Sequence, residues 1–119
     1  MIIVTGGAGL IGSAVVHGLN QRGITNILVV DHLGMTDKWR NLAPLKFRDY
    51  LEKDAFEQLL DRGDVTSRLS APLQAVIHLG ACSSTTERDA GYLIRNNFEY
   101  SRKIALFARE QGARFIYAS

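Results

Sequence analysis

The sequence of 119 residues predicts an α/β domain built on a doubly wound parallel sheet, and three observations predict it. Short β-branched runs alternate with longer helical stretches, a glycine-rich turn follows the first run and opens the first helix, and an acid closes the second run. Ile2-Ile3-Val4 is continuously apolar, too short for a helix and suited to a strand buried on both faces. Gly6 to Gly12 interrupts it. Leu10, Ile11, Ala14, Val15 and Leu19 then form an apolar helical stripe that ends near Gly23. Ile27 to Val30 is the second strand, closed by Asp31.

His32 to Pro44 has no periodicity and reads as a loop with local turn. Phe47 to Tyr50 is expected as a short third strand, and Asp54 as the cap of a helix running through Leu60, since its carboxylate can accept from the free N–H groups of a first turn. Residues 62–72 read as a polar linker. Ala75 to Leu79 is the fourth strand, ended by Gly80. Asp89 to Glu110 reads as a long helix buried through Leu93, Ile94, Phe98, Ile104, Ala105 and Ala108, with Gly112 as its C-terminal breaker. Phe115 to Tyr117 is the fifth strand. A domain of this class continues past its fifth strand, so the expectation is a sheet truncated there, in a chain whose substrate-binding C-terminal part is absent.

Composition narrows the function classes. At 46% hydrophobic and 22% charged residues, this length supports one domain with its own core. The single cysteine, Cys82, builds no disulfide framework, and no Cys/His spacing suits a metal. Fourteen Lys and Arg against twelve Asp and Glu are scattered, which argues against a nucleic-acid footprint. No apolar run reaches membrane-spanning length, and the first residues lack a secretion signal, so a cytoplasmic protein without a membrane partner is expected.

The turn Thr5-Gly6-Gly7-Ala8-Gly9-Leu10-Ile11-Gly12 satisfies G-x-G-x-x-G through Gly7, Gly9 and Gly12, and G-x-x-G-x-x-G through Gly6, Gly9 and Gly12. Asp31 follows Gly12 at about the interval of 20 that the dinucleotide fingerprint expects. Each part has a physical task in a Rossmann-type fold. Residues without a Cβ let backbone N–H groups approach a pyrophosphate, the helix N-terminus attracts that anion, and an acid after the second strand accepts from ribose hydroxyls.

With these residues in place, the chain resembles the extended short-chain dehydrogenase/reductase family. The runs from His78 to Glu87 and Asn96 to Ser101, with the opening Met1 to Thr5 and the closing Phe115 to Ser119, narrow the resemblance to its ADP-heptose 6-epimerases. That resemblance implies an isomerase that inverts C6″ of ADP-D-glycero-D-manno-heptose for lipopolysaccharide core synthesis, homo-oligomeric at full length, with tightly held NADP. It implies cofactor contacts at Leu10 and Ile11 behind the glycines, Asp31 and His32 at the ribose, and Lys38 and Lys53 toward the adenine end. Leu79, Gly80, Ala81, Cys82 and Ser83 would line the cofactor, with Asn96 and less firmly Asn97 as further contacts. Leu79 stands where the family usually has an acid, and His32 where it commonly has Asn. A 2′-phosphate beside Asp31 is repelled, which keeps NAD as the physical rival, while Lys38 and Arg40 offset that charge.

Members of this family move protons with a Tyr-x-x-x-Lys pair. Four residues after Tyr50, Tyr92 and Tyr100 stand Asp54, Asn96 and Ile104, and Tyr117 has no residue at that distance. The chain is therefore expected to hold half of a cofactor site, to contain no catalytic residue and to be inactive alone. Cys82 reads as a small buried side chain, His78 as a satisfied core histidine, and Arg102, Lys103 and Arg109 as a solvated face. Ser83 to Thr86 read as substrate-facing hydroxyls, and Trp39 as either an adenine platform or a loop anchor. Another sugar-nucleotide epimerase, a 4,6-dehydratase and a non-catalytic dinucleotide sensor are the competing functions.

Overall fold

A computed structural model of the chain describes residues 1–79 and 90–118. Five parallel strands, β1 (Ile2–Thr5), β2 (Ile27–Asp31), β3 (Asp49–Glu52), β4 (Ala75–His78) and β5 (Arg114–Tyr117), form one sheet in the order β3-β2-β1-β4-β5. Helix α1 (Leu10–Gln21) and the single turn α2 (Trp39–Leu42) lie over one face, and α3 (Lys53–Arg62) and α4 (Ala90–Glu110) over the other. This is the doubly wound Rossmann architecture that the alternation of runs predicts.

Burial on both faces explains the composition of the central strands. Ile3, Leu28 and Val30 point into one apolar cluster with Phe56, Tyr100, Ile104 and Ala108, while Ile2, Val4, Ile27 and Val29 point into the other with Ala8, Val16 and Leu42. Alternate side chains of one strand enter opposite cores, so no polar position is tolerated until the carboxyl end.

Several elements depart from expectation. The first helix does not bury Leu10, Ile11 or Ala14; its inner side is Gly12 and Val16, with Leu19 partly buried. Only a residue without a side chain fits where the helix presses on the loop, and that contact sets the helix's rotation. The third strand lies two residues later than expected, because its ladder with β2 pairs Leu28 with Asp49 and Asp31 with Glu52, and Phe47 precedes it. Asp54 is no cap. Strand β3 runs straight into α3, Glu52 takes the cap position in extended conformation without a side-chain bond to the helix's first turn, and exposed Asp54 sits in that turn. The expected linker contains a 3₁₀ turn at Val65–Arg68 with Val65 buried and Leu69 packed beside it.

In α4 the buried line is Tyr100, Ile104 and Ala108, whereas Ile94 and Phe98 are exposed. The helix carries two apolar stripes, and the sheet meets one. The other opens onto a groove of about 590 Å³ lined by Ile94, Phe98, Ala105, Phe115 and Tyr117 among others. Lys103 is partly exposed and also paired: its ammonium joins Asp61 at 2.8 Å and Glu57 at 3.0 Å, tying α4 to α3. The expectation for Leu93 falls on a side chain outside the described ones, and Asp89 lies outside the described residues. No helix among the described residues is long and apolar enough to cross a membrane.

Candidate functional site

Strand order reverses between β1 and β4, which leaves a crevice beyond their carboxyl ends, the place where open α/β sheets bind ligands. Thr5, Asp31, Glu52 and His78 end β1 to β4 along this edge.

The glycine loop crosses it from β1 to α1. Gly6 adopts a φ of +70°, which a side chain resists, and its N–H donates to Val30 O at 2.7 Å. A Cβ on Gly7 would stand 2.7 Å from Val29 Cγ1, and one on Gly12 would stand 1.9 Å from Gly6 O. Gly9 differs. Its backbone is extended (φ −73°, ψ 176°), and among the described residues a Cβ there would meet only Gly6 O, at an ordinary 3.4 Å. The first-turn N–H groups that follow have no intrahelical acceptors, and the helix dipole adds positive potential. Leu10 and Ile11 stand exposed at this turn, 85% and 69%.

Asp31 is tied to the loop from the neighbouring strand. Its Oδ2 accepts from Ala8 N–H at 2.8 Å, and its Oδ1 from His32 N–H at 2.6 Å, with the Lys38 ammonium 3.4 Å away. Lys38 also reaches His32 O at 3.4 Å. Ala8 O accepts from the Asn41 amide of α2 at 2.8 Å. Side chains from two further elements therefore hold both polar groups of the Ala8 peptide. Asn41 was invisible to sequence reasoning, since it sits in a stretch without periodicity.

Behind Asp31, Tyr50 Oη lies 2.9 Å from Asp31 O and 3.0 Å from Glu52 Oε1. Burial, reinforced by the Glu52 carboxylate, pushes this phenol well above its usual range. Leu33 N–H donates to Glu52 Oε1 at 3.3 Å, and His32 Nδ1 lies 3.4 Å from Glu52 Oε2. The two strand ends thus brace the start of the loop after β2. Lys53, first residue of α3, stands with its ammonium 4.7 Å over the Tyr100 ring. Asn96 is exposed on α4, and Trp39 is half exposed with Arg40 over its ring at 5.5 Å.

His78 is fully buried, as a core histidine should be. Its Nδ1 lies 2.6 Å from Thr5 Oγ1 and its Nε2 2.8 Å from Ser101 Oγ. Burial, and secondarily the Lys53 charge, lowers the imidazole to about 4, so the ring is neutral near pH 7. Leu79 N–H donates to both Thr5 O, at 3.1 Å, and Thr5 Oγ1, at 3.0 Å. The structure therefore brings Gly6 to Gly12, Asp31, His32 and Lys38 together, and sets Lys53 and Leu79 on the same edge. Gly80, Ala81, Cys82, Ser83, and Ser84 to Thr86, lie outside the described residues.

Comparison with known proteins adds the relatives of this arrangement. Residues 2–119 match the NAD dependent epimerase/dehydratase family. The chain is 50% identical over all 119 residues to an ADP-L-glycero-D-manno-heptose-6-epimerase of Nitratidesulfovibrio vulgaris, and it spans 36% of that relative's length. The structure of the Helicobacter pylori enzyme of the same name superposes with a TM-score of 0.76 at 22% identity, covering 99% of this chain and 38% of that one. The Bordetella bronchiseptica enzyme WbmG, solved with NAD and UDP, superposes with a TM-score of 0.70 at 25% identity, covering 98% and 36%.

Proposed function

The chain belongs to the NAD dependent epimerase/dehydratase family, and from that premise we propose that it is the cofactor-holding part of a cytoplasmic ADP-heptose 6-epimerase that uses NADP. The observation that carries the cofactor reading is the space in front of Gly9. Among the described residues nothing requires a glycine there, yet a side chain would fill the approach to the N-terminus of α1. The residues present fit a dinucleotide: first-turn N–H groups for a pyrophosphate, the Asp31 carboxylate for a ribose, and the Lys38 ammonium beside it for a 2′-phosphate.

When bound, a nicotinamide dinucleotide supplies reversible hydride transfer to and from a substrate carbon. The residues of this chain have other tasks. Gly6 to Gly12 shape the loop, Asp31 fixes Ala8 and the loop with it, and Leu10 and Ile11 present an apolar surface that sheds water when a ligand covers it. Heptose as the sugar is supported by the identity to the Nitratidesulfovibrio vulgaris relative. Other sugar nucleotides remain the second reading, supported by the likeness to WbmG.

Two measurements test this. Calorimetric titration with NADP and NAD is expected to give tighter NADP binding, and Lys38→Ala is expected to weaken NADP by about tenfold while leaving NAD nearly unchanged. Equal or tighter NAD binding by the unaltered chain overturns the NADP assignment. Incubating the full-length protein with ADP-D-glycero-D-manno-heptose is expected to yield the L-glycero epimer; turnover of a UDP-hexose alone would favour the second reading.

A further inference from the structure

Two buried polar side chains, Thr5 and His78, stand in the core opposite one another at the strand-order reversal, in a ladder where Thr5 pairs with His78. A buried polar pair at that place is costly unless it has a task, because each hydroxyl and ring nitrogen must be satisfied without water. The ring satisfies both its nitrogens, one through Thr5 of β1 and the other through Ser101 of α4. Thr5 Oγ1 in turn accepts the N–H of Leu79, the first residue beyond β4, and Thr5 is followed at once by Gly6.

We propose that His78 is a positioning residue for the dinucleotide site, which through Thr5 and Ser101 holds the start of the glycine loop, Leu79 at the end of β4 and helix α4 in one fixed arrangement. The inference rests on the cofactor reading above and adds a device to it. A neutral imidazole has one donor and one acceptor nitrogen, so in either tautomer one hydroxyl donates to the ring and the other accepts from it. Protonation makes both nitrogens donors, and the hydroxyl that had donated must reverse. Among the described residues, besides Thr5 and Ser101, the ring is faced by Lys53 from α3, Tyr100 from α4, with rings 5.5 Å apart and edge-on, and Phe115 and Tyr117 from β5 at 6.1 and 5.6 Å. Among these, Lys53 carries charge near neutral pH, and it opposes a second positive charge.

The experiment is dinucleotide titration of the full-length protein between pH 7.5 and 4.5, unaltered and as His78→Asn, His78→Leu and Ser101→Ala, with folding checked by circular dichroism. His78→Leu is expected to weaken binding about tenfold at pH 7, and His78→Asn, whose amide still faces Thr5, to recover it to within about threefold. The unaltered protein should lose affinity toward the acid end more steeply than His78→Asn does. A folded His78→Leu with unchanged affinity overturns the proposal. If His78→Leu does not fold, parallel pH profiles for the unaltered protein and His78→Asn, with Ser101→Ala unchanged, overturn it instead. Failure of the unaltered protein to bind any nicotinamide dinucleotide overturns the cofactor reading, and the proposal with it.

Discussion

Gly9 and Gly12 belong to one motif and answer to different constraints. At Gly12 the constraint is internal, since a Cβ would drive into Gly6 O at 1.9 Å. Gly12→Ala is therefore expected to lower the melting temperature sharply or prevent folding, by forcing α1 off the loop. At Gly9 the backbone is ordinary, and among the described residues the space is open. Gly9→Val should melt within a few degrees of the unaltered chain and lose dinucleotide binding altogether; thermal melts beside titrations separate the two, and retained affinity in Gly9→Val would remove the site. The spacing of the glycines was legible in the sequence, but which of them the fold itself crowds was not. That division depends on atoms brought from Val29 and from the loop itself. Asp31 was legible through its interval from Gly12, whereas its bond to Ala8 N–H and the Asn41 amide on Ala8 O were not, because contacts between segments leave no local pattern.

Among the elements, α4 shows how far periodicity reaches. The apolar positions of this stretch mark a helix, and a helix is what forms, but periodicity cannot say which of two stripes meets the sheet. Tyr100, Ile104 and Ala108 do; Ile94 and Phe98 do not. Ile104→Ala is accordingly expected to cost about 2–5 kcal/mol, by leaving a cavity in the core. Phe98→Ala, on the open stripe, should change stability by less than about 0.5 kcal/mol, as a substitution outside the core does. Denaturant titration of the two variants checks this, and comparable losses would mean that the open stripe is covered. The later end of β3 and the missing cap at Asp54 share one cause. Strand and helix abut without a loop there, so the residues that look like turn chemistry are already inside the ladder or the helix.

At the scale of the molecule, the doubly wound parallel sheet followed from the alternation of runs, since a glycine loop after the first strand and an acid after the second already specify a doubly wound half. The relay through His78 was legible only as a buried histidine; its partners come from β1 and α4. It has a consequence for global stability. An unfolded histidine titrates near 6.5, and the folded one is lowered to about 4, so the unfolded chain takes up the proton first as pH falls. The stability that neutral His78 carries is complete above pH 6.5 and is lost progressively toward pH 4, by about 3 kcal/mol. Melting temperatures over that interval should fall more steeply for the unaltered protein than for His78→Asn, which has nothing to titrate at that position. The placement of β1 bears on events before there is a fold to stabilise. Among the five strands β1 comes first along the chain and stands in the middle of the sheet order, and the residue that pairs with Thr5 on its second side lies 73 positions downstream. At about 5–20 residues per second, a ribosome takes several seconds to cover that distance. Throughout that time the apolar run Ile2 to Val4 has at most one neighbour, so the strand destined for the deepest burial is the one that nascent-chain chaperones have longest to meet.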